Sequence, residues 1–216
     1  MKVSSVPGPL TAPLPAVMVS CGDMENSNIL TIAWTGIINS HPPITYISVR
    51  KERFSHDIIS ESGEFVINLA TADMVRALDY CGVKSGRDTD KFADMKLTRE
   101  AGDNVSAPMI AESPVNLECR VMEIKEFPSH DMFIAEITAV HVDEKYVDEN
   151  GAYDYRAMNL VAYSHGKYYR LDPQELGFFG YSIMKPKTAR KRRAAETASG
   201  KGGKRNSGRS SGRRSK

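Results

Sequence analysis

Residues 28–55 combine hydroxyl, amide and cationic side chains at the ends of two apolar segments. Arg50, Lys51 and Arg53 follow a segment rich in β-branched and aromatic residues, and Ser55 comes shortly after them. An arginine offers a planar fork of donors and a lysine offers a compact charge, so this end of the segment could bind a phosphate. A hairpin whose exposed end happens to be charged is the alternative, and residues 28–55 alone do not separate the two interpretations.

Two predicted strands and the loop between them must position these side chains. Residues 28–35 and 44–49 have the composition of strands, and the His-Pro-Pro sequence at 41–43 predicts a loop. A helix is predicted over residues 54–62, because its apolar positions have helical spacing and Gly63 follows where a helix would stop.

The rest of the chain, up to about residue 171, predicts further strands and one more helix. The helix is predicted over residues 72–81 with Thr71 as its cap, and residues 82–108 predict an irregular connection with at most a brief helix. Strands are predicted over 16–21, 64–69, 115–126, 131–144, 157–163 and 167–171. Many short strands with evenly spaced turn signals favour a closed antiparallel barrel over a doubly wound sheet.

The predicted loop at 82–91 contains a second set of candidate binding residues. Ser85, Gly86 and Arg87 are followed by Lys91. The glycine allows a close approach of the backbone to a ligand, the serine offers a hydroxyl, and the lysine could neutralise a phosphate. A solvated loop with balanced charges is the alternative interpretation.

The order of these residues resembles the flavin reductase-like family, the FMN-binding split barrels that include the flavoredoxins. The resemblance covers roughly residues 14–180. Its second motif is the Ser-Gly-Arg run that leads to Lys91 and Phe92. Its first motif consists of Asn28, Thr31, Ala33, Trp34, the Pro-Pro loop, Ser48, Val49, Arg50, Lys51 and Ser55.

The resemblance implies a mainly β protein: an antiparallel split β-barrel of Greek-key type with a few short helices. The implied cofactor is FMN. Its phosphate would be held by Arg50, Lys51 and Lys91. Its ribityl chain and ring would be bound by Asn28, Thr31, Ala33, Trp34, Ser48, Val49, Ser55 and Ser85.

His130 and Tyr163 lie where the family places a histidine or an aromatic residue against the isoalloxazine ring, often from the partner subunit of a homodimer. Judged without the resemblance, a turn histidine is more often exposed and a tyrosine at a strand end is more often part of the core. The single tryptophan, Trp34, has the same two interpretations.

The implied function is an oxidoreductase or electron-transfer protein. Electrons would pass from NAD(P)H or a redox protein through bound FMN to an acceptor. No Gly-x-Gly-x-x-Gly motif follows a predicted strand, so the sequence does not independently indicate a nicotinamide site.

Charge divides the chain into a body, residues 1–184, and a basic tail, residues 185–216. The tail carries 13 Lys and Arg residues against one acidic residue, a net charge of +12 that leaves −10 on the body out of the total of +2. The tail lacks large apolar residues and is predicted to be disordered. It permits an alternative function, binding of nucleic acid or another anionic surface, although a solvated extension has the same composition.

The three cysteines, Cys21, Cys81 and Cys119, are far apart and form no Cys-x-x-Cys motif. This spacing argues against a disulfide framework or a zinc site and predicts a reducing, cytoplasmic location. The prolines near the N-terminus make a poor signal peptide, and no apolar run reaches the roughly 20 residues of a membrane helix.

Overall fold

The structure, a computed structural model, describes residues 1–172, 174–186 and 188. The chain divides into two compact units, Met1–Pro173 and Gln174–Lys216. The described part of the second unit contains a single 3₁₀ turn, Tyr181–Ile183. The division lies before the boundary predicted between residues 184 and 185, and most of the predicted tail lies outside the described residues.

Twelve strands and three α-helices make up the first unit. The helices are α1 (Phe54–Ser62), α2 (Val75–Val83) and α3 (Lys91–Met95). The strands are β1 (Leu14–Pro15), β2 (Val17–Gly22), β3 (Ser27–Ile32), β4 (Thr35–Ser40), β5 (Pro43–Arg50), β6 (Glu64–Leu69), β7 (Arg99–Glu100), β8 (Met109–Ile110), β9 (Val115–Glu126), β10 (His130–Val142), β11 (Val161–Ser164) and β12 (Lys167–Arg170). The prediction of a mainly β, antiparallel fold with few short helices is confirmed.

Seven strands form one antiparallel sheet in the order β3-β2-β6-β9-β10-β5-β4. The strands β3 and β4 stand at opposite ends of this order, yet only Ala33 and Trp34 separate them in sequence. Three Cα steps span at most about 11 Å, whereas six spacings across a flat sheet would span about 29 Å. The sheet must therefore curve until its two ends meet at Ala33 and Trp34.

The prediction of one strand over residues 28–35 is wrong, because the chain changes its pairing partner inside this segment. Through Ile32 the backbone pairs with β2, and from Thr35 it pairs with β5. The Trp34 carbonyl already accepts a hydrogen bond from the Ser48 N–H at 2.9 Å. One straight strand cannot pair with both β2 and β5, which lie toward opposite ends of the sheet. The segment therefore breaks at Ala33 and Trp34.

The core fills the curved sheet from inside, and α1 covers one opening. Residues of β2 and β6, such as Val19 and Phe65, are fully buried, and α1 contributes the buried Ile59. Gly63 ends α1 in a left-handed conformation with φ 67°, where its N–H donates to the Ile59 carbonyl at 2.9 Å. The predicted bounds of α1 and its terminating glycine are confirmed.

The helix α2 packs its apolar face onto β3. Leu78 and Cys81 are fully buried in a second core cluster. The predicted cap is not formed: Thr71 makes no capping hydrogen bond with its side chain, and its backbone bridges to Leu160 instead. A 3₁₀ turn, Ala72–Met74, therefore precedes the helix.

The predictions for the second half of the chain need smaller corrections. The bounds of β9 agree with the prediction, β10 is displaced by a residue or two, and β11 begins at Val161 rather than at 157. The segment predicted to be irregular with at most a brief helix contains such a helix, α3, and also the two-residue strand β7, which was not predicted. Within the described residues, no helix is long and apolar enough to cross a membrane.

Candidate functional site

Two adjoining cavities lie where β3 gives way to β4. The larger has a volume of about 430 Å³ and the smaller about 280 Å³. Leu30, Arg53 and Val83 line both cavities, so the two form one continuous cleft. Their sizes suit a small ligand or cofactor, since such pockets usually measure roughly 300–1,000 Å³.

Twelve of the thirteen predicted site residues line this cleft. The larger cavity is lined by Thr31, Ala33, Trp34, Ser48, Val49, Arg50, His130 and Tyr163. The smaller cavity is lined by Asn28, Ser55, Ser85 and Lys91. Lys51 is not among the described residues that line either cavity, and its ammonium instead lies 3.2 Å from carboxylate oxygens of Glu126 and Asp131.

The smaller cavity is built on a buried pair, Asn28 and Ser55. The Asn28 amide donates to the Ser55 hydroxyl at 2.7 Å, and both side chains are buried. Gly86 lies directly over this pair, because a Cβ at that position would be 2.2 Å from the Asn28 side-chain oxygen. The loop backbone therefore approaches the cavity as closely as only a glycine allows.

Lys91 lies beneath the smaller cavity as the first residue of α3. The Asp90 carboxylate accepts hydrogen bonds from the backbone of Phe92 and Ala93, and this cap places the start of the helix. The buried Lys91 ammonium donates to the carbonyl oxygens of Ile29 at 2.6 Å and Cys81 at 2.9 Å. Burial lowers its pKa, and one of its three donors remains for a ligand.

Two arginines that the resemblance did not assign to the cofactor also line the cleft. Arg53 donates to the Gly82 carbonyl at 3.1 Å, and Arg87 donates to the Glu52 carbonyl at 3.2 Å. Among the described residues, four cationic side chains and one acidic side chain, that of Glu52, line the smaller cavity; the cations are Arg53, Lys84, Arg87 and Lys91. The sequence contained a signal for both, because Arg53 belongs to the basic run after β5 and Arg87 belongs to the Ser-Gly-Arg motif.

Aromatic side chains line the larger cavity. The rings of Trp34 and His130 lie 4.6 Å apart at an angle of 35°, and those of Tyr163 and Tyr168 lie 5.6 Å apart. His130 and Tyr163 thus reach the cavity within a single chain. Burial and the charge of Arg50 lower the pKa of His130 below its usual 6.5, so its imidazole is mostly neutral at pH 7.

Tyr168 and Asp79 form a polar pair on the wall of the larger cavity. The tyrosine hydroxyl donates to an Asp79 carboxylate oxygen at 3.2 Å. Burial, together with the charge of Asp79, raises the pKa of Tyr168 to about 12, so the hydroxyl stays protonated. The cleft therefore has an aromatic end around Trp34, whose wall also carries Arg50 and Asp79, and a cationic end around Arg53 and Lys91.

Comparison with known proteins identifies relatives of similar sequence and fold. The profile of the "Flavin reductase like domain" matches residues 11–172. The structure of flavoredoxin from Desulfovibrio vulgaris (Miyazaki F) is 33% identical with a TM-score of 0.78, over 84% of this chain and 100% of that one. Flavoredoxin from Methanosarcina acetivorans is 28% identical with a TM-score of 0.77, over 85% and 100%.

An uncharacterized protein of Archaeoglobus fulgidus is 28% identical over 163 residues, which is 76% of this chain and 90% of the relative. The match to the domain profile covers most of the first compact unit. This chain belongs to the family of flavin reductase like domains.

Proposed function

We propose that this protein binds FMN in the continuous cleft and acts as a flavin-dependent oxidoreductase that passes electrons from NAD(P)H or a redox protein to an acceptor. The observation that carries the proposal is the polarity of the cleft, which is aromatic at one end and cationic at the other. FMN has the same polarity, a planar ring at one end and a phosphate at the other. The similarity to two flavoredoxins supports a flavin as the cofactor.

The cationic end suits the phosphate. The two guanidinium groups offer planar forks of donors, and the buried ammonium of Lys91 adds a charge from below. Gly86 lets the loop backbone approach a phosphate or ribityl group without a side chain between them. We therefore assign binding of the phosphate to Arg53, Arg87 and Lys91. Arg50 and Lys51 are not assigned to the phosphate, because Arg50 lines the larger cavity and Lys51 lies outside the cleft.

The larger cavity suits the ring. Trp34, His130 and Tyr163 line this cavity with aromatic surface, which suits a planar ligand. Thr31 donates its hydroxyl hydrogen to the Leu78 carbonyl, so toward a ligand its oxygen can only accept. When bound, FMN supplies the electron-transfer chemistry, and the protein supplies binding, orientation and electrostatics.

Titration of the purified full chain with FMN and with riboflavin tests the proposal, with the absorbance and fluorescence of the flavin as readouts. Anaerobic mixing of the FMN complex with NADH or NADPH then tests the donor: bleaching of the flavin bands identifies direct oxidation of the nicotinamide. A chain that binds neither flavin would contradict the proposal. The donor, the acceptor and the cytoplasmic location remain predictions.

Arg53→Ala is expected to weaken FMN binding by about 10- to 150-fold, the equivalent of about 1.5–3 kcal/mol for a hydrogen bond to a charged group. Riboflavin, which lacks the phosphate, should bind almost unchanged. Arg76→Ala is the matched control, because Arg76 is an exposed arginine on α2 that lines neither cavity of the cleft. Equal losses of FMN and riboflavin affinity would show that Arg53 does not bind the phosphate.

A homodimer is proposed as the assembly. Ile37 and Ile38 of β4 are 68% and 50% exposed, because an irregularity in the pairing with β5 leaves both turned outward. Large apolar side chains exposed next to each other commonly mark an interface. Ile37→Asp should therefore shift the mass measured by light scattering from dimer to monomer, and an unchanged dimer would place the interface elsewhere.

The alternative function of the basic tail, binding to nucleic acid or another anionic surface, concerns residues 185–216. Of these, only 185, 186 and 188 are described. The alternative therefore remains a prediction from the composition of the tail.

A further inference from the structure

Lys51 connects three strands at one end of the sheet. It follows β5 directly, and its ammonium lies 3.2 Å from an oxygen of Glu126, the last residue of β9. The same ammonium lies 3.2 Å from Oδ1 of Asp131, the second residue of β10. One side chain thus joins the end of β5 to both strands of the β9–β10 hairpin.

The Asp131 carboxylate is a buried charge that depends on two partners. It is 4% exposed, and its Oδ2 lies 2.8 Å from Nε2 of His56 on α1. Its Oδ1 makes no hydrogen bond of good geometry to any described residue, so the nearby ammonium of Lys51 is the cation that compensates it. A buried carboxylate without a compensating partner is strongly unfavourable and moves toward water or takes up a proton.

His130 immediately precedes this anchored carboxylate. Consecutive side chains of a strand point to opposite faces, so one short segment of β10 carries Asp131 on one face and the imidazole on the other. His130 pairs with Arg50 across the sheet, and its ring lies against Trp34 in the larger cavity. The held carboxylate therefore helps to fix the backbone that carries the imidazole, whose Nδ1 also lies 2.9 Å from the Ser129 hydroxyl oxygen.

We infer that Lys51 is a positioning residue, which holds the His130 ring against Trp34 by fixing the Asp131 carboxylate and with it the tip of the β9–β10 hairpin. The inference depends on the proposed function in one respect: it takes the Trp34–His130 ring pair to be part of the wall that binds the flavin. It gives Lys51 a function at the site that involves no contact with the phosphate. The pairing of the two rings is itself independent of any flavin.

The test uses Trp34, the single tryptophan of the chain, as a fluorescent probe. A protonated imidazole quenches a neighbouring indole more strongly than a neutral one, so the fluorescence of the full chain freed of flavin should change in a step as His130 titrates. Arg50 and Glu52 are the charged groups that act on this titration. His130→Gln should abolish the step and so identify its source.

Lys51→Met keeps the length of the side chain and removes its charge. This variant is expected to reduce the amplitude of the fluorescence step at least about twofold, because the His130 ring at the hairpin tip would move away from Trp34. Lys51→Arg should restore the amplitude. Lys125→Met is the matched control, because Lys125 is an exposed lysine of β9 whose ammonium lies 5.8 Å from the Phe127 ring. Circular dichroism confirms that each variant is folded.

NMR of the His130 ring protons in the FMN-loaded chain is a second measurement, since stacking on the indole shifts them upfield. Loss of this shift in Lys51→Met, with recovery in Lys51→Arg, would support the inference. A full fluorescence step and an unchanged ring-proton shift in Lys51→Met would overturn it. Because the fluorescence titration uses no flavin, a failure of FMN binding would contradict the proposed function and leave this test valid.

Discussion

Glu118→Gln is expected to lower the free energy of unfolding by about 1.5–3 kcal/mol, the contribution of a hydrogen bond to a charged group. The Glu118 carboxylate is fully buried and accepts backbone hydrogen bonds from Asp103 at 2.8 Å, Asn104 at 2.7 Å and Val105 at 2.8 Å. It also accepts one from Nε2 of His141 at 2.5 Å. The side-chain NH₂ group of a glutamine would face these N–H groups, which are donors as well.

Urea unfolding followed by circular dichroism measures this loss. Glu123→Gln is the matched control, because Glu123 lies on the same strand, β9, and is exposed. The control should change the unfolding free energy by less than about 0.5 kcal/mol, as surface substitutions usually do. If the two variants were equally stable, the buried carboxylate would not stabilise the loop that covers it.

The same carboxylate should make stability depend on pH. Burial acts to raise the pKa of Glu118, but the hydrogen bonds from Asp103, His141, Asn104 and Val105 outweigh it and hold the pKa below its usual 4.5. A depressed pKa in the folded state means that the stabilisation is fully present above about pH 4.5 and is lost as the pH falls through the folded-state pKa. Unfolding midpoints measured between neutral and acidic pH should therefore fall less in Glu118→Gln than in the wild type.

Gly86→Ala is expected to weaken FMN binding by about 5- to 150-fold while the protein stays folded, since overpacking a tight contact costs about 1–3 kcal/mol. The added methyl group would lie 2.2 Å from the Asn28 side-chain oxygen. Asn28 cannot turn aside without losing its hydrogen bond to Ser55. The loop that carries Ser85 and Arg87 must therefore move away from the cavity.

A double-mutant cycle separates this clash from a general disturbance of the loop. With Asn28→Ala as background, the methyl group has room, so Gly86→Ala should cost much less FMN affinity than in the wild type. Gly8→Ala is the control, because a Cβ at Gly8 meets nothing within 4 Å. Additive losses in the cycle would show that the close approach of Gly86 to Asn28 does not shape the site.

The sequence by itself determined the local elements and most members of the site. The apolar run of β6 and the apolar spacing and terminal glycine of α1 depend on neighbouring residues, so the bounds of both elements were predictable. The two motifs contained ten of the twelve predicted residues that line the cleft, and His130 and Tyr163 stand outside both motifs. Local patterns and the order of motif residues can be read from the sequence, because neither depends on which strands pair with each other.

Only the tertiary structure decided where the strand breaks and which cations meet. The break at Ala33 and Trp34 follows from pairing with β2 on one side and β5 on the other, which the composition of the segment does not show. Lys51 turns to the β9–β10 hairpin while Arg53 turns into the cleft, although the two are neighbours in a single basic run. Their directions depend on the path of the chain after β5.

Glu118 is the clearest case of a role that only the tertiary structure decided. In the sequence it is one of several acidic residues along β9, and the pattern predicts nothing special for it. In the structure the backbone of residues 103–105 covers it, and His141 approaches from 23 positions further along the chain. A carboxylate can be buried only where such distant donors converge on it, and their convergence is a property of the folded chain.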